Sequence, residues 1–260
     1  MMKNYVILLF IFGSCLSLAA KNPSRLRIGL ETGGSEMMGE INRRWEFRKP
    51  WNYQSHYDSY YQGSENAEGE GSMFHVRVKT ELSLLKERVN VSSGLRYTRF
   101  NERIFTHDNS QLYLYHPSQQ GIELFRIHEI NESLGYLTVP LEADVALFGK
   151  IQRWHVFVKG GIQAGVKVHG KTRLDFVSEE MKKYEPEILH AAENTPSNFL
   201  SSIYASVGFR FIFDNHIRVT LENSLPHLYL TKNNFSLITP EGLPGIQASF
   251  TVPVNFFQNK

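Results

Sequence analysis

"LGYLTVPLEADVAL", Leu134 to Leu147, alternates with a period of two. Leu137, Val139, Leu141, Ala143, Val145 and Leu147 share one face, and Thr138, Pro140, Glu142 and Asp144 share the other. This is a β-strand with two unlike faces. A proline at its centre lacks the N–H that a paired strand uses. It therefore marks a bulge or one lost ladder bond.

Seven further stretches alternate in the same way: "RLRIGLET", "FHVRVKTEL", "VNVSSGLRYT", "WHVFVKGGIQAGVKV", "FLSSIYASVGFRFIF", "IRVTLEN" and "GIQASFTVPVNFF". With the opening stretch they make eight strands. Short links follow the second, fourth and sixth, around Lys86-Glu87-Arg88, Gly149 to Arg153 and Asp214-Asn215-His216. Long ones follow the others, at about 35–72, 101–131, 169–198 and 224–243. Loops of that length are uncommon in compact soluble domains. Strict alternation of short and long is the habit of membrane barrels, with short periplasmic turns and long outer loops. In the third long segment Ser178 is placed to cap "EEMKKY", and Pro186 suits the first turn of "PEILHAAEN".

The predicted fold is all-β: an eight-stranded antiparallel up-and-down transmembrane barrel with four long extracellular loops and three short periplasmic turns. The alternative is a soluble lipocalin-like barrel around a small apolar ligand. The polar faces decide between them. They mix small residues with charges of both signs, which suits a narrow lumen and not an apolar chamber. Arg77, Glu81, Arg96, Glu142, Asp144, Lys159, Arg210, Arg218 and Glu222 are the candidate lumen network. Buried charges of this kind need partners and hydrogen bonds. Many runs reach the ~9–11 residues that cross a bilayer as a tilted strand. Aromatics stand near strand ends, with Tyr97 and Tyr136 expected in an outer girdle and Trp154, Phe213 and Phe256 in a periplasmic one.

The chain has 260 residues, 42% of them hydrophobic, enough for one large domain. Its net charge of +2 argues against nucleic acid as a partner. "MMKNYVILLFIFGSCLSLAAKNP" has the layout of a secretory signal, basic start, apolar run, then small residues. Residues 1–19 are read as a cleaved signal peptide and 20–260 as the barrel. Lipidation at Cys15 is the rival processing. Cys15 is the chain's one cysteine. Without it no disulfide framework, thiolate metal site or cysteine nucleophile is expected. No other stretch approaches the ~20 apolar residues of a spanning helix.

"YLTVPLEADVALFG", "FVKGGIQAGVKV", "RIGLETGG" and "FDNHIRVTLENSL" resemble strands of the PorT-like outer-membrane β-barrel family of Bacteroidota, within the broader porin-like barrels. The proline strand is the most specific match. The resemblance implies an eight-stranded barrel in the cell outer membrane. It also implies a structural or accessory role in the envelope, in some members in type IX protein secretion. It carries over no catalytic residue. The end of this chain, Gln258-Asn259-Lys260, departs from the common final aromatic.

A barrel enzyme of lipase or acyltransferase type is a further alternative. "SHYDS" offers His56, Asp58 and Ser59, and "THDNS" offers His107, Asp108 and Ser110. A triad is defined by geometry, and local adjacency rarely supplies it. The ten histidines show no H-x-x-x-H spacing. The expectation is therefore a non-enzymatic barrel with no cofactor and no metal. Its partners are outer-membrane lipid and an envelope or secretion protein, and the barrel itself is monomeric. Trp45, Trp51, Tyr53, Tyr57, Tyr60 and Tyr61 in the first long loop are candidate recognition residues, being of the types that dominate binding hot spots.

Overall fold

The computed structural model describes residues 26–42, 67–106, 112–118, 121–150, 153–191, 196–214, 216–231, 235–242 and 244–254. The strands are β1 (Leu26–Ile41), β2 (Ala67–Leu84), β3 (Val89–Thr106), β4 (Leu112–Ser118), β5 (Gly121–Lys150) and β6 (Trp154–Phe176). They continue with β7 (Phe199–Ile212), β8 (Arg218–Ser224), β9 (Leu228–Tyr229), β10 (Ile238–Gly242) and β11 (Gly245–Pro253). A 3-10 turn at Glu179–Tyr184 leads into a short helix, α1 (Glu185–Ala191). No described helix is long and apolar enough to cross a membrane.

Eight strands close a ring, β1-β2-β3-β5-β6-β7-β8-β11, every neighbour antiparallel. β1 seals it by pairing with β2 on one edge and β11 on the other, from Arg27↔Pro253 to Gly34↔Ile246. Each of these eight coincides with the greater part of one alternating stretch. Closure leaves no strand edge in the ring, the condition for placing a sheet in hydrocarbon.

The strands run well past the ends expected for them. Residues 35–41, 67–72, 101–106, 121–131 and 169–176 are strand, although they fall in the segments read as loops. β5 alone has 30 residues. The reason is a change of phase. On β2, Phe74, Val76 and Val78 face outward and His75, Arg77 and Lys79 inward. Farther out, Ser72 and Glu68 are exposed and Met73 is buried. β3 repeats this, with Leu95 and Tyr97 outward, then Arg99, Asn101 and Arg103 outward over buried Phe100 and Ile104. Alternation persists, but apolar side chains exchange faces. The lower barrel is inside-out, and the upper wall is built like a soluble protein.

The last long segment is also ordered wall. β9 follows β8 along β7, with Leu228↔Ile203 and Tyr229↔Ser202. β10 precedes β11 along β1. Between them Phe235, Ser236, Leu237 and Ile238 turn inward and are buried. In the third segment Ser178 stands at the cap position but makes no side-chain cap bond, contrary to expectation. Pro186 does lie in the first turn of α1.

Pro140 is buried on the lumen side of β5. The β3–β5 ladder is interrupted there, between Ser93↔Leu141 and Arg96↔Thr138, and the register is unchanged across the gap. Ser93 Oγ donates to the Pro140 carbonyl at 2.9 Å. Of the two outcomes that the proline predicts, the structure takes the lost ladder bond. The bulges of β5 lie elsewhere, between Ile127/Glu129, Gly135/Tyr136 and Ala146/Phe148.

Candidate functional site

All nine expected network residues point into the lumen, each 3% exposed or less. Period-two alternation aims them there, and strand adjacency stacks them in rows. Glu142 of β5 sits at the centre. It accepts from Arg77 Nη1 (2.6 Å), Arg96 Nη2 (3.1 Å), Ser92 Oγ (2.8 Å) and Tyr204 Oη (2.6 Å). Toward the periplasmic end Asp144 takes a two-pronged contact from Arg210 (2.9 and 3.1 Å) and a bond from Asn90 Nδ2 (2.8 Å). Lys159 pairs with Glu222, which also accepts from Ser206 Oγ at 2.8 Å. Arg218 pairs with Glu81. The two-pronged geometry and the low-dielectric setting make these strong contacts, provided that every partner is present.

Three network members were not among those expected: Arg27, Glu31 and Lys79. Glu31 accepts from Arg96 at 2.7 Å, and its carboxylate lies 3.4 Å from Arg77 and 3.7 Å from Lys79. Arg27 reaches Glu87, a residue of the β2–β3 turn that also pairs with Arg218. All three residues lie on polar strand faces, so alternation was the available signal. Their partners stand on β1, β2, β3 and the β2–β3 turn, and strand register decides which of them come level.

Aromatics also enter the lumen. The Arg210 guanidinium lies 4.5 Å over the Phe157 ring. Missing side chains make the room. A Cβ on Gly161 would come within 2.8 Å of Glu142 Cγ and 2.9 Å of the Tyr204 ring.

Directly above the charges lies an apolar plug of Met37, Met73, Phe100, Leu134, Tyr136, Leu200 and Phe235. Phe100 packs edge-on against Phe235 (5.1 Å) and Tyr136 (5.9 Å). Tyr136 thus belongs to the plug and not to the outer girdle where it was expected. It shares the parity of Thr138 and Pro140, and its hydroxyl donates to the Ser197 carbonyl at 3.0 Å. Tyr97, Trp154 and Phe213 do face outward. A second apolar layer above, including Ile104, Leu112, Phe125, Ile127, Leu174 and Leu237, is covered by Ile188 of α1.

Between the two layers stand Glu102 and Glu132, cross-strand partners on β3 and β5, each 2% exposed. They lie beyond the level where the outer face turns polar. Burial, with the neighbouring carboxyl adding to it, pushes Glu102 well above the usual carboxylate range. Burial raises Glu132 as well.

Trp45, Trp51, Tyr53, Tyr57, Tyr60 and Tyr61 lie outside the described residues, as do residues 1–19, Cys15, Phe256, the whole of "SHYDS", and His107, Asp108 and Ser110 of "THDNS". Among the described residues no group of three His, Cys, Asp or Glu is placed to hold a metal.

A closed ring with a charged interior and an apolar outer band is a bilayer-spanning β-barrel. No protein-family model and no curated protein matches the chain. Among solved structures, the translocator domain of the autotransporter NalP from Neisseria meningitidis overlays at TM-score 0.31 and 9% identity, over 96% of this chain and 97% of that one. The outer membrane protease OmpT from Escherichia coli overlays at 0.28 and 8% identity, over 88% and 95%. The transport unit of the autotransporter AIDA-I, also from Escherichia coli, overlays at 0.26 and 8%, over 86% and 88%. Overlays of this quality transfer no activity to this chain.

Proposed function

We propose that the chain is a non-conducting, non-enzymatic β-barrel of the bacterial outer membrane, exported through a cleaved signal peptide at residues 1–19. Its role is structural or accessory, exercised through the part that stands above the membrane. The observation that carries this reading is the exchange of faces on β2 between Phe74 and Ser72. An apolar exterior that gives way to a polar one along a single strand marks the boundary of a bilayer. A lipocalin-like barrel has the opposite polarity, with its apolar face around the ligand, and does not accommodate Arg77, Glu142 and Lys159 inside.

The wall above the boundary points to the task. It holds an apolar core of its own, and the sequence between β1 and β2, residues 43–66, is rich in Trp, Tyr and Arg. We infer that this head docks an envelope or secreted protein, in keeping with the accessory role implied by the PorT-like resemblance, while the barrel remains a monomer. Heat-modifiable migration after detergent extraction from outer-membrane fractions is the expected behaviour. Recovery as a detergent-free periplasmic protein would refute the membrane reading. Deleting 45–62 should abolish partner capture while leaving heat-modifiable migration intact, and unchanged capture counts against the docking role.

A further inference from the structure

The strap Phe235–Ile238 is held inside the barrel mouth by the two buried acids. Leu237 N and Ile238 N both donate to Glu102 Oε2 at 3.3 Å. Ser236 N donates to Glu132 Oε2 at 3.2 Å, and Ser236 Oγ donates to Glu132 Oε1. Thr172 Oγ of β6 adds a bond to Glu132 Oε1 at 2.8 Å. Like charges directly opposite on paired strands repel, and Glu102 and Glu132 are such a pair. Neither has a cationic hydrogen-bond partner among the described residues. Among the described residues the buried Oε1 of Glu102 has no hydrogen-bond partner. Because that oxygen accepts no hydrogen bond, it is free to carry the proton of a neutral carboxyl. The other titratable groups facing the pair are Tyr136 of β5, Tyr229 of β9 and Lys167 of β6. The lysine donates to the Pro196 carbonyl at 2.7 Å.

We propose that Glu102 and Glu132 form a proton-dependent latch that keeps the strap closed over the barrel mouth, and that loss of the proton they hold releases it. The sign follows from burial. With the strap closed, Glu102 binds its proton more tightly than a solvated carboxyl would. Closure therefore takes up a proton. It is fully favoured below the ordinary glutamate value of about 4.3 and weakens as pH climbs through the raised one. Release uncovers Phe100, Leu134 and Leu200 to the outside. The charged lumen beneath is untouched, so this is a gate on the outer surface and not a channel gate.

The test uses the full chain with Cys15→Ser, carrying either Leu237→Cys in the strap or Leu228→Cys on the exposed wall as a reference. Leu237 is fully buried, and Leu228 is 69% exposed. The ratio of their maleimide labelling rates cancels the intrinsic pH dependence of the thiol. We expect it to rise at least about tenfold from about pH 5 to about pH 9. Glu102→Gln, neutral at every pH, should hold the ratio low and flat. A flat profile in the parent overturns the latch, as does an unchanged slope in Glu102→Gln. If that variant gives no heat-modifiable form, Glu132→Gln removes the same like-charge pair. The rise must then be smaller than the parent's.

Discussion

Glu142 is the residue on which the lumen turns. It gathers two arginines, a tyrosine and a serine from β2, β3 and β7, with Lys159 of β6 at 3.8 Å. Removing one member of a buried charge cluster leaves the others unpaired, which costs more than the pair is worth. Glu142→Gln should destabilise the barrel by about 3–5 kcal/mol, read as the shift in the urea midpoint of folding into lipid. A shift indistinguishable from zero would mean that water carries the lumen charges. Neighbouring glycines give a finer test. Gly161 faces Glu142 and Tyr204, whereas a Cβ on Gly160 would meet nothing within 4 Å. Gly161→Ala should cost about 1–3 kcal/mol by overpacking. Gly160→Ala should be neutral or stabilise slightly. Equal effects would show that the side chains there do not fill the lumen. At this scale the sequence was informative about direction and silent about partners. Glu31 and Arg96 are 65 residues apart and meet because the β1–β2–β3 register brings both level with Arg77.

At the scale of elements, β2 carries two structural rules on one strand. Its outward row reads Glu68, Glu70, Ser72, Phe74, Val76, Val78, polar and then apolar. Val78→Arg, on the apolar part, should cost about 2–4 kcal/mol, the penalty of a cation facing lipid. Ser72→Arg, on the same face but above the boundary, should change stability by less than about 0.5 kcal/mol. Equal penalties at the two sites would misplace the bilayer boundary. The lower strands were legible because apolar and polar residues alternate there over seven or more positions. The upper halves were not. Their outward residues are polar and their inward ones include Gly69 and Gly71, so a reading keyed to apolar-out alternation stopped at the boundary. The strap was still less legible. "FSLI" has no local mark that distinguishes an inward plug from an ordinary loop.

At the scale of the whole molecule, the barrel is closed by two unlike seals, ion pairs through the membrane and an apolar plug above them. Planar-bilayer recordings should therefore show no stable conductance at neutral pH. A large steady current would mean that the ion pairs leave a continuous path for water. Strand number, the inside-out polarity of the lower barrel and the direction of the nine charges follow from local alternation, because side-chain facing is a property of a single strand. The height of the wall, the choice of charge partners, the inward turn of Phe235–Ile238 and the burial of Glu102 against Glu132 do not. They depend on which strands stand beside or across from one another. That is decided by strand pairing, β3 against β5 for the two acids, and by the closure of β1 onto both β2 and β11 that makes the sheet a ring.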